Sequence, residues 1–213
     1  MNVSSETEHL LFPTPIWEYQ FEDLDSFNNQ LSEAILSFDW HSYKQENALD
    51  FGNNLETRNE DTFIPLDKAP GIMHVLQLAL EKSAAIADKF GWPLDNHSLK
   101  LTQYWANVNE PNDYNMRHHH IPSHLSGVYY VKVPEQSGDI RFFDDRRVKL
   151  ATEPEAAKET PLSRFEITFQ PKEGMMLIFP SWLEHIVGQN KSSQTRIAVS
   201  FNIDLVKNPE NPD

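Results

Sequence analysis

The chain of 213 residues contains no cysteine, and this absence excludes several kinds of chemistry at once. Disulfide bonds, cysteine nucleophiles, iron–sulfur clusters and cysteine-ligated zinc sites all require that residue. The sequence also carries no Gly-rich phosphate motif and no serine-triad motif. A chain without cysteine is compatible with a reducing compartment, and we expect a cytoplasmic location.

Positive charge is scarce and long apolar runs are missing. Lys and Arg number 18 against 32 Asp and Glu, which gives a net charge of −14. We therefore expect no binding to nucleic acids or anionic membranes, whose phosphates need cations. The most apolar run, 175–183, is short and broken by Pro180, so no membrane span is predicted. The N-terminal residues carry Glu6 and Glu8 without a basic region, and no signal peptide is expected.

The pattern of apolar residues predicts helices first and strands afterwards. We expect a strand over 12–21 and amphipathic helices over 26–38 and 70–90. After Leu99, short β-rich runs separated by turn residues predict strands at 101–108, 127–133, 139–143, 165–169, 174–179, 185–187 and 195–203. The segment with His118 and His120 would bring the number to about eight. This density predicts a mostly β fold with flanking helices, a double-stranded β-helix (jelly-roll, cupin-like) core with the N-terminal helices packed on one face.

The chain is predicted to form a single domain, because its length and its hydrophobic fraction of 39% suit one core. Residues 1–98 would be a helical and strand support, 99–206 the jelly-roll core, and 207–213 a frayed tail. The polar segment 41–62 is predicted to be a loop. The charged segment 144–163 is either a lid over the barrel mouth or a plain connection.

Two histidines one residue apart, His118 and His120, give the strongest functional signal. On an extended segment their side chains point the same way and His119 faces away, because strand side chains alternate. The pair could bind one metal ion, with His185 arriving from a later strand as the third ligand. Histidine clusters also occur on surfaces, but this one directly precedes a strongly apolar strand that would fix it at the barrel rim.

Arg196 begins the last predicted strand, eleven residues after His185. A buried arginine needs an anionic partner, since an unpaired buried charge is costly. A barrel with three metal ligands and an inward arginine suits a metal together with a carboxylate cosubstrate. An ordinary surface position for Arg196 is the alternative.

The ordered set of motifs resembles the Fe(II)/2-oxoglutarate-dependent oxygenases, and within them an uncharacterised bacterial and phage group related to prolyl hydroxylases. The matching segments are 11–17 (LFPTPIW), 118–123 (HHHIPS), 126–131 (SGVYYV), 137–140 (SGDI), 174–185 (GMMLIFPSWLEH) and 196–202 (RIAVSFN). The resemblance extends over most of the chain, and these segments follow one another in the order that the family has.

The resemblance implies that Fe(II) is the metal and that His118 and His185 are ligands to it. Arg196 would bind the distal carboxylate of 2-oxoglutarate through a bidentate, charge-assisted contact. Tyr130 occupies the place of a tyrosine near the same carboxylate, and a core aromatic is its alternative reading. Two further residues would face the cosubstrate: Asn107 from an earlier strand, and Ser126, which shares the face of Tyr130.

The sequence departs from the family pattern at His120, because most members have Asp or Glu in that position. Three neutral imidazoles would leave the iron site one charge more positive than the usual facial triad. A dianionic cosubstrate could offset that charge. Zinc or nickel in place of iron stays open, and so does a carboxylate ligand from Asp113 or Asp144 instead of His120. The spacing favours His120.

The resemblance implies a dioxygenase that couples oxidative decarboxylation of 2-oxoglutarate to hydroxylation of a substrate. Two alternatives stay open: a cupin-like three-histidine dioxygenase that does not use 2-oxoglutarate, and a non-enzymatic ligand-binding barrel. The substrate is not readable from the sequence, and peptidyl proline, a free amino acid and a small metabolite are all compatible with it. A homodimer, with the first strand pairing across it, is also compatible.

Overall fold

Two antiparallel sheets enclose the interior of the protein. The computed structural model describes residues 5, 7–9, 11–38, 60–62, 66 and 68–208. In chain order the elements are β1 (Trp17–Gln20), α1 (Asp25–Leu36), β2 (Glu60–Thr62), α2 (Pro70–Lys89), β3 (His97–Asn109), β4 (Asn115–His118), β5 (Leu125–Lys132), β6 (Ile140–Phe143), α3 (Arg147–Thr152), β7 (Glu166–Phe169), β8 (Met175–Pro180), β9 (His185–Val187) and β10 (Arg196–Lys207).

The larger sheet has six strands in the order β1-β8-β5-β10-β3-β2, and the smaller has four in the order β4-β9-β6-β7. Every recorded strand pair is antiparallel. The longest contact is between β10 and β3, whose register runs from Arg196 opposite Asn109 to Lys207 opposite His97. The mostly β architecture with flanking helices is therefore confirmed.

Strand β5 is buried on both faces and divides the core in two. Leu125, Tyr129 and Val131 belong to the cluster that packs under the helices. Val128 and Tyr130 point to the other side, where they meet Ile140 and Phe142 of the smaller sheet and other side chains of the larger sheet. This alternation follows from the two-residue period of a strand, and it gives the larger sheet one face for the helices and one for a cavity.

The two long helices cover the outer face of the larger sheet, as predicted. Helix α1 buries Leu31 and Ile35 there, and α2 buries a longer stripe that includes Ile72 and Val75. The Tyr129 hydroxyl also donates a hydrogen bond to Asn28 Oδ1 (2.8 Å), which ties α1 to the sheet. The helices therefore lie away from the space between the sheets.

The element boundaries differ from the predicted ones in a few places. The first strand is shorter than 12–21, and β10 continues past residue 203. The segment 144–163 contains the short helix α3. Strand β2 occupies the end of the predicted loop 41–62, and it pairs with β3; residues 41–59 lie outside the described residues. Long-range pairing, which leaves no local pattern, forms β2.

The described part of the chain includes no helix that is long and apolar enough to cross a membrane.

Candidate active site

Three histidines converge at one end of the smaller sheet. One ring nitrogen from each of His118, His120 and His185 lies within 4.8 Å of the others, so the three could share one metal ion. The ring centroids are 4.3 Å apart for His118 and His185, 5.0 Å for His118 and His120, and 5.2 Å for His120 and His185. The sequence-predicted ligand residues are thus brought together.

Strand pairing places two of the three rings. His118 ends β4 and His185 begins β9, and the two residues are directly opposite in the antiparallel register. Each ring contacts the carbonyl oxygen two residues earlier: His118 Nδ1 lies 2.6 Å from Met116 O, and His185 Nδ1 lies 3.0 Å from Leu183 O. Because a carbonyl only accepts, Nδ1 carries the proton in each neutral ring. Nε2 is then left as the metal-binding atom on both residues.

His120 reaches the group by a different route from the predicted one. Strand β4 ends at His118, so His120 lies outside any strand and the expected period-two alternation does not place it. Its backbone N–H donates to Ser181 O (2.8 Å), and its carbonyl accepts from Ser123 N (3.0 Å). The ring packs beside Trp105, with centroids 5.5 Å apart. Long-range hydrogen bonds to a turn therefore direct this side chain.

The electrostatics of the group favour neutral rings. Burial lowers the pKa of His118, lowers that of His120 to about 3 and lowers that of His185 well below its ordinary value. The histidines also repel one another's charge, which lowers the pKa values of His120 and His185 further. A neutral imidazole is the form that binds metals, so the site needs no deprotonation step near neutral pH.

The other histidine-rich and acidic positions near the site stand apart from the three. His119 is exposed and does not belong to the group, and His124 bonds with Asp204 instead. Asp144 forms ion pairs with Arg146 and Lys149. Asp113 accepts a hydrogen bond from Glu110 N. In the described residues, neither of these two carboxylates joins the metal-binding group.

A cavity of about 830 Å³ extends from the histidines between the sheets. Its floor is made by alternate residues of β10, namely Arg196, Ala198, Ser200 and Asn202. The register places Asn109 beside Arg196, Asn107 and Tyr130 beside Ala198, Trp105 and Val128 beside Ser200, and Gln103 and Ser126 beside Asn202. The cavity therefore has Arg196 at one end and the three histidines toward the other, near Trp105.

Arg196 is buried, with an exposed fraction of 1%, and the carboxylates of Asp139 and Asp113 are near enough to favour its charged form. Its Nη1 donates to Ser137 O (2.9 Å) and its Nη2 donates to Asn109 Oδ1 (2.9 Å). Its Nε is buried without a hydrogen-bond partner. Burial lowers the pKa of Arg196, but a guanidinium stays protonated at neutral pH. The cavity therefore holds a buried cation with one donor, Nε, that no described group uses.

That arrangement fits an anionic ligand. A buried donor without a partner is costly. A carboxylate in the cavity would accept from Nε and would add to the charge compensation that Asp139 and Asp113 give. The sequence-based alternative, a surface position for Arg196, is ruled out by its burial.

Tyr130 and Asn107 both line the cavity near Arg196. Burial raises the pKa of the Tyr130 hydroxyl, although nearby Arg196 opposes the rise. The hydroxyl therefore stays protonated and can donate. The Asn107 amide donates from Nδ2 to Ser200 Oγ (2.8 Å). Both residues therefore line the cavity that contains Arg196, and their cosubstrate-binding roles stay predictions.

Ser126 has different surroundings. Its hydroxyl donates to Asn202 Oδ1 (2.7 Å) and lies 2.7 Å from Ser181 Oγ, in a buried chain of hydrogen bonds that continues to Gln103. The structure does not bring Ser126 to the cavity surface among the lining residues. Its observed contacts hold β5 to the turn that follows β8.

Sequence reasoning missed Asn109 and Ser137, the two acceptors that position Arg196. Asn109 had a signal, because it lies two residues after Asn107 and so shares its face of the strand. Ser137 acts through its backbone carbonyl, and the sequence gives no signal for such a contact.

An ion pair lies at the cavity wall, next to the three histidines. Arg117 and Glu184 form a salt bridge, and they directly precede His118 and His185 in the chain. The Arg117 guanidinium also packs over the Phe143 ring at 4.2 Å. The pair joins β4 to the start of β9 on the cavity side.

Residues 103–202 match the family model described as "Putative 2OG-Fe(II) oxygenase". This match spans β3 to β10 and contains the three histidines, Arg196 and Tyr130. The part of the chain from β3 to β10 is therefore similar to the 2OG-Fe(II) oxygenases. The match indicates an oxidoreductase of the dioxygenase class that uses Fe(II) and 2-oxoglutarate.

Solved structures of this family share the fold. A prolyl-4-hydroxylase from Pseudomonas putida aligns with a TM-score of 0.59 at 14% identity, over 92% of this chain and 94% of that one. The α-ketoglutarate-dependent epimerase SnoN from nogalamycin biosynthesis gives 0.59 at 14%, over 93% and 80%. A prolyl hydroxylase from Trichoplax adhaerens gives 0.56 at 13%, over 89% and 83%. The similarity confirms the double-stranded β-helix fold. No curated protein matches the sequence.

Proposed function

We propose that this 2OG-Fe(II) oxygenase hydroxylates its substrate at a metal held by His118, His120 and His185, with 2-oxoglutarate anchored by Arg196. The observation that carries the proposal is the sharing of one cavity by the histidine group and a buried arginine whose Nε has no hydrogen-bond partner. A metal site alone would not need that arginine, and an arginine pocket alone would not need three convergent imidazoles.

The three histidines supply neutral nitrogen ligands from fixed directions. The Nδ1 contacts of His118 and His185 to backbone carbonyls orient their rings before any metal arrives. A set of three ligands on one face leaves other coordination positions open for cosubstrate and dioxygen. When bound there, Fe(II) supplies the dioxygen activation that converts 2-oxoglutarate to succinate and carbon dioxide and hydroxylates the substrate.

Arg196 binds and orients the cosubstrate at the opposite end of the cavity. Its free Nε is the donor for one carboxylate oxygen of 2-oxoglutarate, and the adjacent Tyr130 hydroxyl is a second donor near the same place. Asn109 and Ser137 hold the guanidinium in position and leave that donor available. Charge-assisted contacts of this kind are stronger than neutral ones.

Apolar side chains keep water away from His185. Phe142 and Phe179 pack against its ring, with centroids 5.6 and 4.9 Å away. This side of the histidine group is therefore closed, and a substrate has to enter from the open part of the cavity.

The fold assigns neither the substrate nor the type of oxidation. Structural relatives include prolyl hydroxylases and an epimerase, so one scaffold serves several reactions. We propose hydroxylation, and peptidyl proline, a free amino acid and a small metabolite stay in the set of substrates to be tested.

Calorimetry with N-oxalylglycine, an inert analogue of 2-oxoglutarate, tests the proposal. The wild-type protein loaded with Mn(II) in place of iron should bind the analogue. Arg196→Ala should weaken binding roughly 10- to 150-fold, the value of a lost charge-assisted contact of about 1.5–3 kcal/mol. Arg164→Ala is the matched control, because Arg164 is an exposed arginine paired with Glu159. Thermal unfolding of each variant shows whether it is folded.

A second candidate function deserves a test because all three metal ligands are histidines. A three-histidine dioxygenase that oxidises its substrate directly would bind metal without binding N-oxalylglycine, or would bind the analogue equally well after Arg196→Ala. Elemental analysis of protein from metal-replete medium separates both enzymes from a non-enzymatic barrel, which would contain no iron, zinc or nickel.

A further inference from the structure

The loop that carries His120, residues 119–124, joins β4 to β5 and has no strand pairing of its own. His118 and His185 are fixed by paired strands and by their Nδ1 contacts. No hydrogen bond to the His120 ring nitrogens is found in the described parts of the chain. The direction of the His120 side chain therefore depends on the contacts that hold the loop in place.

The first set of contacts comes from the turn after β8. Ser181 accepts a hydrogen bond from His120 N (2.8 Å) and donates one from its own N to His124 O (3.1 Å). Ser181 is fully buried, and its hydroxyl contacts Ser126 Oγ on β5 (2.7 Å). The loop is thus held near its start and at its far end by one residue.

The second set of contacts comes from β10. One oxygen of Asp204, Oδ1, accepts a hydrogen bond from His124 N (3.0 Å) and lies 3.1 Å from His124 Nδ1. The His124 ring also packs edge-on against Trp92, with centroids 5.6 Å apart. Asp204 is 80 residues from His124 in sequence, so this contact connects the His120 loop directly to the strand that carries Arg196.

We propose that Asp204 is a positioning residue for His120. By holding His124, it fixes the far end of a six-residue loop whose second residue is the proposed metal ligand His120. Removing the carboxylate would leave the His124 backbone N–H and Nδ1 without their acceptor, and Ser181 and the packing on Trp92 would remain as contacts of this end of the loop. The inference rests on the proposed metal-binding role of His120.

The experiment compares Co(II) affinity and the visible absorption spectrum of bound Co(II) in the whole protein. Asp204→Ala should weaken Co(II) binding about tenfold, a usual effect of removing a residue that orients a metal ligand, and shift the spectrum toward that of His120→Ala. Asp204→Asn should retain most of the affinity, because its amide oxygen still accepts from His124 N. Glu159→Ala removes an exposed ion pair elsewhere and should change neither readout.

A double-mutant cycle separates positioning from a general loss of stability. If Asp204 acts through His120, Asp204→Ala has little further effect on Co(II) affinity in the His120→Ala background, since coupled residues are not additive. Additive effects, or an unchanged affinity and spectrum in Asp204→Ala, overturn the inference. His124→Ala, which keeps the backbone contact, takes the place of Asp204→Ala if that variant does not fold.

The two proposals fail in distinguishable ways. If His118→Ala and His120→Ala bind Co(II) as tightly as the wild type, the proposed site is wrong and the role of Asp204 falls with it. If those variants lose affinity and Asp204→Ala does not, the site stands and the positioning role is wrong.

Discussion

His118 and His185 face each other across paired strands β4 and β9, with ring centroids 4.3 Å apart. Because both rings also contact a carbonyl two residues earlier in the chain, the backbone of the smaller sheet sets their spacing and direction. This half of the metal site is therefore built before a metal binds, whereas the His120 half depends on a loop.

The paired histidines should be the dominant metal ligands. His118→Ala and His185→Ala should each lose bound Fe(II), with an affinity at least 10-fold lower, because two remaining ligands hold a divalent ion poorly. The measurement is metal content by elemental analysis after dialysis against a low concentration of Fe(II). His119→Ala is the control, since His119 is exposed and outside the group. Undiminished metal in both ligand variants would contradict the assignment.

Replacing His120 by the residue type usual in the family should change the charge of the site and keep its metal. His120→Asp should still bind Fe(II), while its affinity for N-oxalylglycine should fall at least several-fold, because a negative ligand near an anionic analogue is unfavourable. Calorimetry with the Mn(II) protein measures the difference. His120→Ala removes the ligand without adding charge and serves as the comparison. Equal or tighter analogue binding by His120→Asp would show that the third imidazole does not set the charge of the site.

Asp144 should contribute to stability and not to metal binding. Its hydrogen bonds from Arg146, with help from Lys149, hold the pKa of the Asp144 carboxyl below its usual value. A lowered native pKa adds stability above the unfolded-state pKa, and that stability is lost as the pH falls through the native pKa. Asp144→Asn should therefore cost about 1 kcal/mol of unfolding free energy near neutral pH, and the difference should shrink below about pH 4.

Chemical denaturation at several pH values measures this difference, and metal content is compared in parallel. Asp145→Asn is the control, because Asp145 is the exposed neighbour. Loss of metal from Asp144→Asn would restore the carboxylate-ligand hypothesis.

The contact between β5 and β10 should be intolerant of a side chain at position 127. A Cβ on Gly127 would collide with the Phe201 ring and lie 2.7 Å from the carbonyl oxygen of Leu177. Gly127→Ala should lower the unfolding free energy by about 1–3 kcal/mol, as overpacking of a core does. Gly91→Ala is the comparison: its φ of +68° would be strained, at about 1–2 kcal/mol, but its Cβ would meet nothing within 4 Å. An unchanged free energy of unfolding in Gly127→Ala would contradict this account.

Sequence patterns predicted most of the fold because most of it is periodic. The apolar stripes of α1 and α2 and the alternating residues of β5 and β10 are local signals of burial. The histidine group and Arg196 were also predictable, since those residue types are rare in a core without a partner. Strand β9 was predicted from its β-rich pattern, and β4 lies in the segment before His120 that was predicted to be extended.

The remaining features depend on contacts between residues far apart in the chain. His120 was predicted as a ligand, but through strand alternation, whereas hydrogen bonds to Ser181 direct it. Ser126 was predicted to face the cosubstrate, whereas its hydroxyl bonds to Asn202 and Ser181. Serine has the same local appearance in either setting, so only the three-dimensional neighbourhood decides between them.

His118 and His185 lie in one sheet and Arg196 lies in the other. A ligand that contacts all three residues therefore links the two sheets. A cosubstrate bound both at the histidines of the four-stranded sheet and at Arg196 of the six-stranded sheet would stabilise the packing of the two sheets against each other. At a free concentration one hundred times its Kd, such a ligand adds about 2.7 kcal/mol to the free energy of unfolding. Candidate substrates and inhibitors could therefore be found by their effect on melting temperature, before any product is known.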